Sequence, residues 1–476
     1  MTLRHLVART ALGLVGAFLA TDTYAVDTVA IDAAVTFQRM DGFGISSRVF
    51  DAPHLFNNFD PATGRALTVL TSQQQDAILD RLFVDLKLTR LRPASPDTAI
   101  GAGIEPANDN GDPYVTDFGG FNFAWKNLDA HADVMVRAQQ RGATTFFLSP
   151  LSRELWTGTT TQNDAAEYAE WLLAQARRAR DQGPVLPYLS VANEPSYSRN
   201  PMSGAFVLDV IKDLGPRLRA EGFATQFVVP DDVRASDAAA KTQIVLADPI
   251  ARSYVGALAT HLYDEPVSNV GQRQALANQY QLPLWMTEFT VGALGTAGLP
   301  QDAFSWAALM HDLIATYNVS AVDYLWGFFG QWEGNTTMLV TLNNSGATYK
   351  GMTLNKQYYT TGQYSRFIPP GARRIQAASS APAVLTTAYL DRANLIIVAI
   401  NTDGAAHTVS LNVAGTPLPA SATAQPTRTS DSEDWAALRV IGISGSGFSA
   451  TLPHNSVTTF VISKNDAIFA DGFDVT

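Results

Sequence analysis

Short apolar runs alternate with longer amphipathic stretches between about residue 40 and residue 366. The short runs predict buried β-strands over 42–46, 88–92, 144–149, 187–192, 225–229, 257–262, 284–288 and 321–326. The longer stretches repeat apolar residues at helical spacing and predict helices over 72–86, 125–141, 164–180, 203–220, 269–280 and 302–317. Eight strands, each followed by a helix or a loop, predict an α/β fold of the (β/α)8 TIM-barrel type. A doubly wound sheet is disfavoured, because the glycines at 42 and 44 lack the third glycine of a phosphate-binding turn.

The pattern changes after Phe367, where helical spacing ends and short β-rich runs alternate with turn residues. The runs cover 384–390, 395–400, 408–413 and 457–462. They predict an appended antiparallel β-sandwich domain over 367–464, and the strand-like residues 26–36 are expected to join it. The barrel then covers 37–366, and residues 465–476 are expected to form a polar C-terminal tail.

The first 25 residues have the pattern of an export signal. Arg4 and Arg9 form a basic start, residues 10–21 carry no charge, and Thr23 and Ala25 offer small side chains to a signal peptidase. This uncharged run is too short to cross a bilayer, which takes about 20 residues. We therefore predict a signal peptide over 1–25 and a secreted protein, periplasmic or extracellular in a bacterium. A buried N-terminal helix is the alternative.

Composition narrows the chemistry that the chain can carry. The 476 residues include no cysteine, and the formal net charge is −11. The lack of cysteine excludes disulfides, zinc–thiolate sites, iron–sulfur clusters and cysteine nucleophiles. The acidic charge disfavours nucleic acid, and the scattered histidines show no metal-ligand spacing. The segment 108–112 is faintly similar to a calcium loop, but an Asx-rich turn explains it. We expect no metal, no cofactor, no membrane partner and a monomeric protein with a neutral ligand.

Two glutamates lie where catalytic groups of a barrel belong. Glu194, in the run Asn193-Glu194-Pro195, ends the fourth predicted strand, and Glu288 ends the seventh. The carboxyl ends of barrel strands share one rim, so the two side chains are expected to face each other. Pro195 is expected to keep the backbone of Glu194 extended. Cleavage of a glycosidic bond needs such a pair, one carboxylic acid and one carboxylate. A solvated loop charge is the alternative for either glutamate alone.

Further polar and aromatic residues fall on the same rim. Arg90 and Arg92 lie two apart on the second strand, so one face can carry both side chains inward, where an arginine lowers the pKa of a neighbouring carboxyl. An outward salt bridge is the alternative for each. The remaining candidates are sugar-binding residues, with core packing as the rival interpretation, and they are His261, Tyr263, Trp326, Trp156 and Trp332.

Taken together, these residues resemble glycoside hydrolase family 30, retaining (β/α)8-barrel glycosidases with a side β-domain, over nearly the whole mature chain. The matching segments are 40–44, Arg90, 149–150, 193–195, 261–263, 287–288, 356–359 and 362–368. The resemblance implies that Glu194 is the acid/base and Glu288 the nucleophile. It also implies that Asn193 holds the sugar 2-hydroxyl and that Arg90 and Tyr263 contact the nucleophile. Leu151 departs from the pattern, because relatives often carry a tryptophan platform there.

The resemblance implies a secreted, retaining, metal-independent glycoside hydrolase that acts on a β-linked plant cell-wall polysaccharide. The segment 41–46 and the overall layout are more similar to the family's xylan-active branches than to its lipid-active branch, so we expect an endo-β-1,4-xylanase-like activity. A β-1,6-glucanase, a β-1,6-galactanase or a glucosylceramidase-like enzyme of the same family is the alternative. A non-catalytic carbohydrate-binding protein on the same scaffold is the rival from another class.

Overall fold

A computed structural model gives the fold of most of the chain. It describes residues 26–47, 59–60, 65–66, 70–95, 104–122, 126–151, 153–154, 156–184, 186–197, 201–292, 300–330, 337–345 and 348–464. The predicted signal peptide, the polar tail and Trp332 lie outside these residues. After the strand β1 (Asp27–Arg39), eight parallel strands close into the predicted barrel. They are β2 (Gly42–Ser47), β3 (Arg90–Ser95), β4 (Thr145–Pro150), β5 (Tyr188–Ser190), β6 (Gln226–Asp232), β7 (Val255–Thr260), β8 (Leu284–Phe289) and β9 (Ala321–Leu325).

Helices surround the barrel, and several of them begin at a residue whose side chain caps the first turn. Thr161 and Asp164, for example, form a reciprocal capping box at the start of the third helix. The helices are α1 (Ser72–Leu79), α2 (Lys126–Gln139), α3 (Gln162–Gln182), α4 (Gly204–Ala220), α5 (Ala235–Ala247), α6 (Pro249–Arg252), α7 (Val270–Tyr280), α8 (Ala303–Ala315) and α9 (Lys356–Ser365). A π-helical segment, Asp80–Asp85, extends α1, and a 3-10 turn, Val267–Asn269, precedes α7.

The barrel interior is layered, with apolar residues at the bottom and polar residues at the top. Trp285, Phe147 and the half-buried Tyr188 pack together in the lower layer. Above them Arg90 forms two parallel hydrogen bonds with Asp323, and its guanidinium lies 4.1 Å from the centre of the Trp285 ring. Gly44 must be glycine here, because a Cβ would lie 2.4 Å from both Arg90 and Asp323. The top layer, nearest the carboxyl ends of the strands, is the polar one.

Smaller β-elements lie outside the barrel. After β9 the strands β10 (Phe328–Gly330), β11 (Val340–Ser345) and β12 (Thr348–Leu354) form a three-stranded sheet. Two-residue strands, Phe59–Asp60 and Arg65–Ala66, pair with each other. Among the described residues, no helix is both long and apolar enough to span a membrane.

The C-terminal β-domain is one hydrogen-bonded path of strands that folds over its own core. Its strands are β13 (Arg373–Ser379), β14 (Val384–Leu390), β15 (Asn394–Asn401), β16 (His407–Ala414), β17 (Thr423–Ser430), β18 (Gly447–Leu452) and β19 (Ser456–Ser463), with short additions at Ala436–Ala437 and Ile441–Gly442. Starting from Ala436–Ala437, the path runs β17, β19, β15, β14, β13, β1, β16 and β18. β1 pairs antiparallel with β13 and parallel with β16. Phe448 and Phe460, from distant parts of the path, meet at 5.2 Å between ring centres, as expected of a sandwich.

Helix α9 joins the two parts of the molecule. Gln363 on α9 donates to Thr429 of β17, and Thr459 of β19 donates to the backbone oxygen of Gln363. The Trp435 ring lies against Gly362 so closely that a Cβ there would be 2.1 Å from it. The segment 362–368 therefore packs barrel and β-domain against each other through small and polar contacts.

Candidate active site

Glu194 lies at the rim of the barrel, in the loop that follows β5. Its backbone N–H donates to the carbonyl of Asp231 at 2.9 Å, and its own carbonyl accepts from Tyr197 at 2.7 Å. The backbone of Glu194 has a φ of +50°, so the expectation of an extended conformation before Pro195 is wrong. The two hydrogen bonds hold this left-handed conformation, which is costly for a non-glycine residue. The side chain is 15% exposed and is therefore accessible from the barrel mouth.

Glu288, near the end of β8, is held from two sides. Its Oε2 accepts from Nη1 of Arg92 at 3.0 Å, and its Oε1 accepts from the hydroxyl of Tyr263 at 3.1 Å. The contact from Tyr263 is the one that the sequence predicts. Only 12% of the Glu288 side chain is exposed. The carboxylate of Glu288 is therefore fixed in one orientation through both of its oxygens.

The arginine that contacts Glu288 is Arg92, and the expected contact from Arg90 is wrong. Both arginines point into the barrel, each 1% exposed, as their two-residue spacing predicts. Arg90 lies one layer deeper, however, because β3 pairs with β2 in the register Gly44–Arg90 and Ser46–Arg92. Arg90 therefore forms its hydrogen bonds with Asp323, and Arg92 lies at the level of the two glutamates and donates to Glu288.

The two glutamates lie close together. One carboxylate oxygen of each, and one ring nitrogen of His261, all lie within 4.8 Å of one another. In retaining glycosidases the two carboxyl groups are about 5–5.5 Å apart, whereas inverting enzymes leave about 6.5–9.5 Å for a water molecule. The short separation favours the retaining arrangement.

His261 bridges Glu194 and a carboxylate below it. Its Nδ1 lies 2.9 Å from Oε1 of Glu194, and its Nε2 lies 3.3 Å from Oδ1 of Asp231. Burial opposes the charged imidazolium, but Glu288, Asp231 and Glu194 outweigh it and raise the pKa of His261 to about 10. The ring of His261 is therefore expected to be protonated, and positively charged, at neutral pH.

Asp231 is the centre of this polar layer, and the sequence analysis missed it. Its Oδ2 accepts from Arg92 at 2.7 Å and from Ser149, and its Oδ1 accepts from Thr287 at 2.5 Å. Although burial would raise it, Arg92 and His261 hold the pKa of Asp231 well below its usual range. The adjacent acidic residues 231 and 232 at the end of the fifth predicted strand were a signal that could have indicated it.

The surroundings of Glu288 shift its pKa in opposite directions. Burial raises the pKa of Glu288 above its ordinary value, while the charges of His261 and Arg92 act to lower it. Burial and the charge of Glu288 raise the pKa of Tyr263 well above its ordinary value, so the phenol stays a hydrogen-bond donor. The expected lowering of the carboxyl pKa by an arginine is present, but burial outweighs it.

The other predicted site residues are distributed between the rim and the loops. Asn193 is buried beside Glu194, and its Oδ1 accepts from Nη2 of Arg92. Trp326 directly follows β9 and stacks on Phe329 with 5.1 Å between ring centres. Trp156 is half-buried, and its Nε1 donates to the backbone oxygen of Glu105 at 2.8 Å. Asn193 therefore lies beside the two glutamates, whereas the indole of Trp156 is hydrogen-bonded to the backbone of the segment 104–122.

A cation at Glu194, His261 and Glu288 would meet an unfavourable environment. These three are the residues whose ligand atoms converge within 4.8 Å. Both oxygens of Glu288 already accept hydrogen bonds, and the Arg92 guanidinium lies 3.0 Å from one of them. The donor set therefore suits acid–base chemistry better than metal binding.

The chain is similar in sequence and in fold to proteins that are named as glycosidases. No protein-family model matches the chain. The chain is 25% identical over 307 residues to the glucuronoxylanase XynC of Bacillus subtilis (strain 168), covering 63% of this chain and 67% of that protein. It is 25% identical over 244 residues to the endo-1,6-beta-D-glucanase neg1 of Aspergillus fumigatus, covering 47% of this chain and 46% of that protein. The catalytic domain of GH30 xylanase C from Talaromyces cellulolyticus matches with a TM-score of 0.71 and 22% identity, covering 91% of this chain and 99% of that one.

These matches differ in what they support. The structural match shows the fold, a TIM barrel with an appended β-domain. The sequence matches span about two thirds of the first relative and less than half of the second. The sequence matches and the shared fold confirm the resemblance to glycoside hydrolase family 30. The two sequence relatives also confirm, at the level of enzyme class, the expected O-glycoside hydrolase.

Proposed function

We propose that this chain, which resembles glycoside hydrolase family 30 in sequence and fold, cleaves a β-linked plant cell-wall polysaccharide with retention of configuration. The observation that carries the proposal is the pair Glu194 and Glu288, with carboxylate oxygens within 4.8 Å at one rim of the barrel. A non-catalytic carbohydrate-binding protein would have no need for both carboxylates at this separation.

The two glutamates take different roles in a double displacement. Glu288 attacks the anomeric carbon and forms a glycosyl ester, while Glu194 gives its proton to the leaving oxygen. Water then attacks the anomeric carbon of this ester, Glu194 accepts a proton of that water, and the bond from the anomeric carbon to Glu288 breaks, which frees Glu288 as a carboxylate. Arg92 and Tyr263 hold the oxygens of Glu288 in line for attack. Asn193, next to Glu194, is the proposed partner of the sugar 2-hydroxyl.

We propose xylan as the substrate class, in an endo-β-1,4-xylanase-like reaction. The names of the relatives support it, because XynC is called a glucuronoxylanase and the Talaromyces structure a xylanase. The fungal relative called an endo-1,6-beta-D-glucanase favours a β-1,6-glucan as the second candidate. Trp326 at the rim, and Trp332, which follows it in the sequence, are proposed sugar platforms for either polymer.

A glucuronic acid branch is not required for binding in this proposal. An arginine fork is the natural partner of a uronate carboxylate, and residues 327–355, which follow β9, contain no arginine. Arg153 in a neighbouring loop is engaged elsewhere, since its Nη1 donates to the backbone oxygens of Glu154 and Thr157. The net charge of −11 adds mild repulsion for an acidic branch.

A panel of pure β-linked polysaccharides tests the substrate, with product sizes as readout. We expect cleavage of β-1,4-xylan, and kcat/KM on glucuronoxylan close to that on the same polymer after carboxyl reduction. Loss of a charged hydrogen bond costs about 1.5–3 kcal/mol, or roughly 10- to 150-fold. If kcat/KM falls by that factor when the carboxyl groups of glucuronoxylan are reduced, the enzyme does require the glucuronic acid branch. If the enzyme cleaves only β-1,6-glucan, the second candidate replaces xylan as the substrate.

Secretion is also a proposal, based on residues 1–25. Export to the periplasm or the medium would bring the enzyme to a polymer that does not enter the cytoplasm. Expression of the full chain in a bacterial host, followed by N-terminal sequencing of exported protein, is expected to give Val26 as the first residue. Retention of Met1 in cytoplasmic protein contradicts it.

A further inference from the structure

Asp231 is buried completely at the centre of the polar layer, and its two oxygens face different partners. Oδ2 accepts from Nε and Nη2 of Arg92, at 3.2 and 2.7 Å. Oδ1 lies 3.3 Å from Nε2 of His261. Arg92 in turn contacts Glu288, and His261 contacts Glu194. The Asp231 carboxylate therefore contacts both Arg92, the partner of Glu288, and His261, the partner of Glu194.

We propose that Asp231 is a positioning residue that holds Glu288 through Arg92 and Glu194 through His261. The five groups form a chain in which carboxyl groups and basic groups alternate, from Glu288 through Arg92, Asp231 and His261 to Glu194. Each neighbouring pair in the chain lies within hydrogen-bond distance. The inference rests on the proposed function, and it adds a residue to which the family resemblance assigned no role.

The backbone of Asp231 contributes to the same arrangement. Its carbonyl accepts the N–H of Glu194 at 2.9 Å, and its φ is +59°. The register of β6 against β7 shifts between Pro230 and Asp232, and this bulge turns Asp231 toward the barrel axis. Asp232, the next residue, bonds Ser196 instead. Main chain and side chain of Asp231 thus both orient the loop that carries Glu194.

The side chain also fixes the orientation of the His261 ring, with Nε2 toward Asp231 and Nδ1 toward Glu194. An ionised Asp231 favours a proton on Nε2, and Nδ1 then shares its hydrogen bond with Glu194. The charged and titratable groups that face His261 come from every strand packed around it, and they are Glu194 after β5, Asp231 on β6, Tyr263 after β7, Glu288 on β8 and Arg92 on β3. Loss of the Asp231 charge is therefore expected to lower the pKa of His261.

The test is the variant Asp231→Asn in the full chain, compared with Asp323→Asn. Asp323 is the matched control, because it is another buried carboxylate bonded to an arginine in the barrel, one layer deeper. For Asp231→Asn we expect kcat to fall about 10²-fold, the effect of misplacing catalytic groups, with KM little changed. The alkaline limb of its pH–kcat/KM profile is expected to move to lower pH. Asp323→Asn is expected to lower the Tm while leaving that limb in place.

A second readout does not depend on activity. The imidazole NMR signal of His261, assigned with His261→Gln, is expected to titrate at lower pH in Asp231→Asn than in the wild-type protein. Failure of the wild-type enzyme to cleave any β-linked substrate would reject the proposed function and leave this measurement intact. Unchanged titration of His261, together with a wild-type pH profile and kcat, overturns the positioning role.

The variant Thr287→Val tests the positioning role of Asp231 if Asp231→Asn does not fold. The variant removes the hydroxyl that donates to Oδ1 at 2.5 Å but keeps both the shape of the side chain and the charge of Asp231. We expect kcat to fall while KM and the alkaline limb stay near wild type, because position changes and charge does not. A wild-type kcat in Thr287→Val overturns the proposal.

Discussion

At the residue scale, the two glutamates have different neighbours, and their loss should therefore have different effects. Glu194→Gln is expected to lose about 10²–10⁴ in rate on substrates with poor leaving groups, the usual contribution of a general acid. The loss should be much smaller on activated aryl glycosides, whose leaving groups need no proton. Glu288→Gln is expected to be inactive on both, because the amide cannot form the ester. Steady-state rates of both variants on both substrates measure this, and equal losses throughout contradict separate roles.

Two features of the site could not be predicted from the sequence: which arginine contacts Glu288, and the inward position of Asp231. The spacing of Arg90 and Arg92 predicted their shared inward face correctly. Which of the two reaches Glu288 depends on the register of β3 against β2, and register is a property of the paired strands. Asp231 was missed for a similar reason, since a bulge in β6 turns it inward and no periodic pattern encodes that bulge.

At the element scale, the segment 104–122 contacts helix α3 through a hydrogen bond from the backbone of Asp117 to Glu170, and each of the two elements contributes a buried carboxyl group with a raised pKa. Glu105 is fully buried, and neither of its carboxylate oxygens has a hydrogen-bond partner among the described residues. Burial, with the nearby charges of Asp109 and Glu170, raises the pKa of Glu105 to about 9. Burial raises the pKa of Glu170 to about 7. The folded protein therefore binds these protons more tightly than the unfolded chain does.

The stabilising contribution of Glu105 is full below its ordinary pKa of 4.5 and is lost as the pH rises through about 9. We expect Glu105→Gln, which mimics the protonated acid, to have a wild-type Tm near pH 5 and a higher Tm than wild type near pH 10. Thermal unfolding across this range measures it. Asp181→Asn, at a carboxylate that is 60% exposed, is the control and should follow the wild-type curve. A Glu105→Gln curve parallel to wild type contradicts the expectation.

The predicted helices and strands agree with the structure within a few residues at their ends, but the helices α5, α6 and α9 and the strands β10 to β12 were missed. Helix α5 is rich in alanine and lacks a clear apolar stripe, and α6 has only four residues. Strands β13, β17 and β18 were also missed, because their apolar positions are interrupted by charged, proline or glycine residues. Elements with strong periodicity were predictable, and those stabilised by tertiary packing were not.

At the scale of the whole molecule, the alternation of strands and helices was sufficient to predict the closed barrel and the appended β-domain. The closure itself, β9 against β2, brings together segments nearly 300 residues apart in sequence. The same closure places the ends of β5 and β8 on one rim, so that Glu194 and Glu288 converge. The path of the β-domain, with β1 between β13 and β16, is long-range pairing that local patterns do not specify.

The central claim is that Glu288 forms a covalent glycosyl intermediate, and trapping tests it most directly. A 2-deoxy-2-fluoro β-xylobioside with an activated leaving group slows hydrolysis of the intermediate, because the fluorine destabilises the oxocarbenium-like transition state. Mass spectrometry of digested enzyme is expected to find one adduct, on the peptide that contains Glu288, and Glu194→Gln should still accumulate it. An adduct on Glu194, or no adduct together with a first product of inverted configuration from a natural β-linked substrate, contradicts the account.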